Sequence, residues 1–408
     1  MAAIAATSLC ARKVTHDGLS YTLNAKAQTA TLVQERGAYR GDIVVPETFC
    51  IDSVNYSVEE VAASAFDGCA ALTSVELPRS VKRIGNAAFR GCASLRAVTL
   101  PEGLQDVPNS LFDGCISLTD VELPRHLRRM GTGVFRDCTS LVSLAFPMIA
   151  EVPTGTFERC RSLTDVELPT TVTAIRRNAF AGCTALTAVT LPMLSTLEDG
   201  AFRDCQSLTA IELPTSLVRI EDSVFENCRS LRYVRFPSSL ARIDAKAFRG
   251  CSSLQAVELP GSVVQLGGSV FEDCSAMQRV KLPSGLKLIP ANTFKNCSSL
   301  GDVDLPSSVL SIGGEAFQGC NSLHALNLPS SIKSIGGGAF LGCSNLRDIY
   351  VASSFPAKLK KNAFSKDTQR SGVLHVYPHS IDAYRLDKSW SKFANIVDYT
   401  RNEMETGR

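Results

Sequence analysis

The sequence predicts an α/β-type repeat solenoid dominated by short parallel strands, with a β-rich cap at each end. Three observations predict it. Thirteen of the fifteen cysteines, Cys69 through Cys343, follow one another every 23 residues, shortened to 22 on two occasions. Each has a Phe three residues before it, from Phe66 to Phe340. Pro stands nine residues after the Cys in twelve of the thirteen units, Pro78 to Pro329, with Ala352 in the last. A fixed period of this size marks stacked units, each covering the apolar edge of its neighbour.

In chain order, residues 1–17 read as a flexible start, 18–60 as an N-terminal cap, 61–365 as the array, 366–400 as a C-terminal cap and 401–408 as a flexible tail. The opening MAAIAATSLC is short of basic residues and matches a secretory signal poorly. Within each unit, Leu follows the Cys by three residues, with Met277 the exception. Val, Ile or Leu stands at plus six and Leu, Phe or Val at plus eight. The last two alternate with a polar residue, as in Val121, Glu122, Leu123, which is the period of a strand with one buried face. Proline lacks an N–H, so the strand stops there. Two more apolar positions, such as Val81 and Ile84, complete the coil. Stacking at about 4.8 Å per strand makes thirteen units roughly 60 Å long, with Phe and Leu columns as buried spines.

The unit, as in AFRGCASLRAVTLP and AFQGCNSLHALNLPSSIKSIG, resembles the BspA-type, treponemal class of leucine-rich repeats. The flanks are similar too: GLSYTLNAKAQTATLVQERGAYRGDIVVPETF resembles the N-terminal cap of these proteins and VLHVYPHSIDAYRLDKSWSKFANI their C-terminal cap. A fourteenth unit begins at Asn-Ala-Phe364 without its Cys, consistent with the end of the array. The resemblance implies a curved array with its strands on the concave face. It also implies noncatalytic recognition of a protein partner, such as a host, matrix or cell-surface protein, by a surface or secreted adhesin-like protein. An intracellular scaffold with the same fold is the alternative. The family brings no catalytic motif and no cofactor.

Composition narrows the classes further. With 45% hydrophobic residues, 20% charged residues and a formal net charge of +2, the chain has material for a continuous core and no concentrated basic charge for nucleic acid. No run approaches the length of a membrane span. The nearest array cysteines are 22 residues apart, unlike the close pairs of a zinc site, so the array cysteines are expected as buried thiols that fill core space. Adjacent-coil disulfides compete with that reading, because stacked Cα atoms fall within bridging distance. His375 and His379 are four apart, but Pro378 between them argues for extended chain rather than a metal-binding helix. The basic clusters Arg128-Arg129, Arg176-Arg177 and Lys358, Lys360, Lys361 read as a solvated face.

The residue at plus seven lies between two buried positions and must face the open side. That column reads Glu76, Thr99, Glu122, Ala145, Glu167, Thr190, Glu212, Arg235, Glu258, Lys281, Asp304, Asn327, Tyr350. Its first half is acidic, with Asp120 and Asp165 two positions before Glu122 and Glu167. From Glu212 to Asp304 the sign alternates, which predicts a ladder of cross-strand ion pairs. Tyr233 and Arg279 add an aromatic and basic segment of the kind enriched at binding hot spots. A strip about 60 Å by 13 Å offers roughly 800 Å², one side of a standard protein interface.

Overall fold

The structure is a computed structural model and describes residues 12–35 and 39–399. The chain divides into two compact units, Met1–Val172 and Thr173–Arg408. Each is a β-solenoid of stacked coils, and helices are few and short.

In the first unit the N-terminal cap is a sheet of five strands. Arg12–His16, Leu19–Asn24 and Thr29–Leu32 run antiparallel in sequence; Val54–Val61 then pairs parallel to the third and antiparallel to Thr48–Ile51. Asp17 and Gly18, both at positive φ, form the two-residue turn of the first hairpin, as an Asp-Gly pair favours. The segment 1–17, expected to be flexible, thus contains a strand from Arg12; residues 1–11 and the start matched against a signal peptide lie outside the described residues. The tail 401–408 does too. Two links join the cap to the coils: Gly41–Val44 pairs parallel to Leu72–Glu76, and Val54–Val61 pairs parallel to Arg83–Ile84.

Most coils carry a strand where the alternation places it; among the described residues, the coil after Cys115 keeps only a bridge, Thr99↔Glu122, and none is formed in the coil after Cys183. Ala97–Thr99, Asp165–Glu167, Ala210–Glu212, Tyr233–Arg235 and Ala256–Glu258 all show one buried residue between two exposed ones. Pairing is parallel and in register between coils, as in Ser74↔Ala97 and Glu212↔Arg235. A second ladder of two-residue strands, such as Arg219–Ile220, Arg242–Ile243 and Gln265–Leu266, runs along the other side of the coils. In these three only the second residue is buried, so no alternation announces them. On this side backbones approach closely: a Cβ on Gly267 would stand 2.3 Å from the nitrogen of Ala245 in the preceding coil.

Between the ladders lies the core. In the first unit the rings of Phe66, Phe89, Phe112, Phe135 and Phe157 stack nearly parallel, with centroids 5.0 to 5.7 Å apart. In the second unit the column runs from Phe180 to Phe364, with steps of 5.1 Å at each end. Trp390 and Phe393 close it, their rings 5.8 and 5.3 Å from Phe364, and the Trp390 indole N–H donates to the Ala357 carbonyl at 2.7 Å. The C-terminal segment supplies two further parallel strands, Val373–Val376 and Asn395–Asp398, and also the short helices Lys366–Ser371 and Ile381–Leu386.

The array cysteines are buried thiols. Within each unit they donate to the Phe carbonyl of the preceding coil, as Cys92 does to Phe66 at 3.1 Å and Cys228 to Phe202 at 3.2 Å. Burial pushes the Cys92 and Cys343 thiols up to about 12.

Candidate functional site

The strand faces of the two units differ in charge. In the first, Glu76, Asp120, Glu122, Asp165 and Glu167 are all exposed, and none has a cation within ion-pair distance among the described residues. Thr99 and Ala145, short and exposed, separate the glutamates. The cap extends the face: Asp42 accepts from the hydroxyls of Ser74 at 2.6 Å and Thr73 at 2.7 Å, which hold its carboxyl below the usual range. A groove of about 820 Å³ runs along Val44, Glu76, Ala97, Thr99, Asp120 and Glu122.

In the second unit the alternation produces the expected pairs in part. Arg235 meets Glu212 at 3.0 Å, and Lys281 meets Glu258, lowering its pKa chiefly through the hydrogen bond. Asp304 lies in register beside Lys281, whose ammonium is engaged by Glu258. Tyr233 is 58% exposed, and with Arg235, Glu258, Arg279 and Lys281 it lines a groove of about 1190 Å³. Tyr350 is placed differently. It is half-buried, stacked on His375 at 4.3 Å and edge-on to Tyr399 at 5.7 Å, so it belongs to the packing at the end of the sheet.

The two C-terminal histidines do not converge. His375 Nε2 lies 2.9 Å from Asp348 Oδ1, and His379 Nε2 lies 2.9 Å from Ser354 Oγ. The basic clusters are engaged in part: Arg129 bonds Asp106, Arg176 bonds Glu198 and Arg177 bonds Asp199 along the second ladder, each at 2.9 to 3.0 Å.

A third charged column emerges at the residue just after each Phe. Asp67, Arg90, Asp113, Arg136 and Glu158 alternate in sign through the first unit, and Glu226, Arg249 and Glu272 do so in the second. Arg136 stands between Asp113 at 3.6 Å and Glu158 at 3.1 Å. The signal was present in the sequence as the same two-unit alternation, on a column outside the strand. Those of them that form ion pairs do so with one another across coils, away from the strand faces.

Coils built of one strand, a Pro stop and a Phe/Cys/Leu core define a leucine-rich-repeat protein. The chain belongs to the BspA-type family: the model for the BspA type leucine rich repeat region (6 copies) matches residues 59–187, 150–278 and 242–371. A leucine-rich repeat protein from Bacteroides ovatus is 27% identical, covering 95% of this chain and 100% of its own, with a TM-score of 0.68. A leucine rich cell surface protein from Faecalibacterium prausnitzii is also 27% identical, covering 84% of this chain and 95% of its own, with a TM-score of 0.57. No curated protein matches the chain. Among the described residues, no helix is long and apolar enough to cross a membrane.

Proposed function

We propose that this protein is a noncatalytic protein-recognition module that binds its partner on the strand face, as a cell-surface or secreted adhesin-like protein. The observation that carries the reading is the exposed set Tyr233, Arg235 and Arg279 in one groove. A solvent-facing Tyr beside guanidiniums combines the residue types enriched at the hot spots of protein interfaces. The regular eBe strands support it, because packing constrains only their middle residue and leaves both neighbours free for recognition. The cell-surface description of the similar Faecalibacterium protein supports the location.

Capture of partners by the full chain, followed by mass spectrometry, tests the reading. Tyr233→Ala with Arg279→Glu, and separately Glu122→Lys with Glu167→Lys, should each weaken a captured interaction without altering the melting temperature. Retention of full affinity by both double variants would remove the strand face from the proposal. Labelling of intact cells separates an exported protein, which is reached, from an intracellular scaffold, which is not.

A further inference from the structure

The first unit treats its carboxylates in two ways. Off the strand face, Asp67, Asp106, Asp137 and Glu158 each receive an arginine of the chain at 2.6 to 3.1 Å. On the strand face, Glu76, Asp120, Glu122, Asp165 and Glu167 receive none among the described residues, although the same column in the second unit is neutralised by Arg235 and Lys281. The groove in this face is lined by Glu47, Glu76, Glu102, Asp120 and Glu122 against the guanidiniums of Arg79 and Arg96, and Asp165 and Glu167 lie on the same face beyond it. Electrostatic complementarity therefore selects a cationic occupant.

Spacing selects its conformation. Glu76, Glu122 and Glu167 stand on every second coil, with Thr99 and Ala145 between them. Two strand steps are about 9.6 Å. A polyproline-type chain advances about 9.3 Å in three residues, bringing every third side chain to the same side. A β-extended chain returns a side chain to one face every two residues, about 6.6–6.8 Å, and misses this period. The short residues on the intervening coils leave room for the two residues between anchors.

We propose that the strand face of the first unit binds an extended, proline-rich segment of a partner protein with Lys or Arg at every third residue. The segment runs across the strands along the stack, with one cation at each of Glu76, Glu122 and Glu167. Asp120 and Asp165, two residues before the second and third anchors in the same coils, strengthen those two stations. The proposal rests on the recognition role of the strand face and names its partner chemistry.

The test is fluorescence anisotropy on the full chain at physiological salt, with two labelled proline-rich peptides of equal length and equal Lys count. One carries Lys at every third residue, the other at every second. The third-residue peptide should bind roughly tenfold more tightly. Glu122→Gln with Glu167→Gln should weaken it at least about tenfold and flatten its salt dependence, whereas Asp382→Asn on the helix Ile381–Leu386 should change neither. Circular dichroism melts establish that the variants are folded. Equal binding of the two peptides, or unchanged binding by the Glu122/Glu167 variant, overturns the proposal. A captured partner that depends on Tyr233 and Arg279 but not on Glu122 and Glu167 would overturn this inference and leave the recognition role standing.

Discussion

The thiol of Cys228 lies 3.2 Å from the carbonyl oxygen of Phe202 in the preceding coil. That oxygen also accepts the N–H of Cys205 in its own coil, at 3.2 Å. A carbonyl has two lone pairs, and this one is buried beside the Phe column; the thiol supplies a second donor while remaining apolar enough for the core. Cysteine is thus favoured over Ala, which has no donor, and over Ser, which is shorter and costlier to bury. Cys228→Ala should destabilise the chain by about 1–2 kcal/mol through lost sulfur contacts and the weak bond. Denaturant unfolding checks this, and a gain in stability would contradict it.

Reactivity follows from the same contacts. Burial raises thiols such as Cys205, Cys251 and Cys274 well above their ordinary value, and Cys92 and Cys343 to about 12, so these thiolates do not form in the folded chain near neutral pH. Cys50 is exposed on the strand Thr48–Ile51. A thiol reagent at neutral pH should label Cys50 in the native protein and the array cysteines only after denaturation. Peptide mapping by mass spectrometry reads this out directly.

Phe202 is fully buried between Phe180 at 5.1 Å and Phe225 at 5.7 Å. Phe202→Ala opens a void in the column and should cost about 3–5 kcal/mol. Because coils are stabilised by their neighbours, the loss should broaden the unfolding transition as well as lower its midpoint. An unchanged melt would exclude the column as a cohesive element.

The strand columns and the Phe, Cys and Leu spines were legible because packing constrains them in every coil. The second ladder was not, since strands such as Arg219–Ile220 bury one residue and carry no period. The ion-pair expectation was partly met on the strand, at Glu212–Arg235 and Glu258–Lys281, but the longer charge ladder runs through Glu226, Arg249 and Glu272, beside the Phe column. Sequence displays the alternation there, yet not that these side chains are half-sheltered and meet across coils. Tyr350 read as an exposed anchor because its partners His375 and Tyr399 lie outside the repeat, where the period says nothing.

Arg249 stands 3.5 Å from both Glu226 and Glu272, whose side chains are 15% and 13% exposed. Arg249→Met keeps the aliphatic stem and leaves two sheltered carboxylates without their cation, at a cost of about 1–3 kcal/mol. Arg249→Lys should recover only part, since an ammonium lacks the planar fork that reaches both neighbours. Thermal melts of the three proteins order them, and equal stability of the Met and wild-type forms would refute the ladder's contribution.

Glu221 is shifted in the opposite sense to a paired carboxylate. Burial raises its pKa, Arg219 opposes the rise, and the neighbouring Asp199 carboxyl adds to it. Its folded pKa therefore lies above its unfolded one. Between the two values the native state keeps a proton that the unfolded chain has released, so this group's contribution to stability falls as pH rises. Glu221→Gln should be more stable than wild type at pH 7, with the difference shrinking as pH drops toward the carboxylate range. Denaturation midpoints across that range check the sign.

Two residues before each core Phe the backbone turns through positive φ, as at Gly155, Gly200 and Gly338, but also at Lys246 with φ 58°. A side chain there crowds the following carbonyl by about 1–2 kcal/mol, and glycine removes the clash. Against this stands glycine's greater freedom in the unfolded chain, roughly 0.5–1 kcal/mol. Lys246 is exposed, so its side chain adds little packing to lose. Lys246→Gly should therefore stabilise the coil by about 0.5–1 kcal/mol, while Ala247→Gly at the next, buried position should destabilise it. Opposite shifts in melting temperature for these adjacent substitutions would establish that the turn, and not the loss of a lysine, sets the effect.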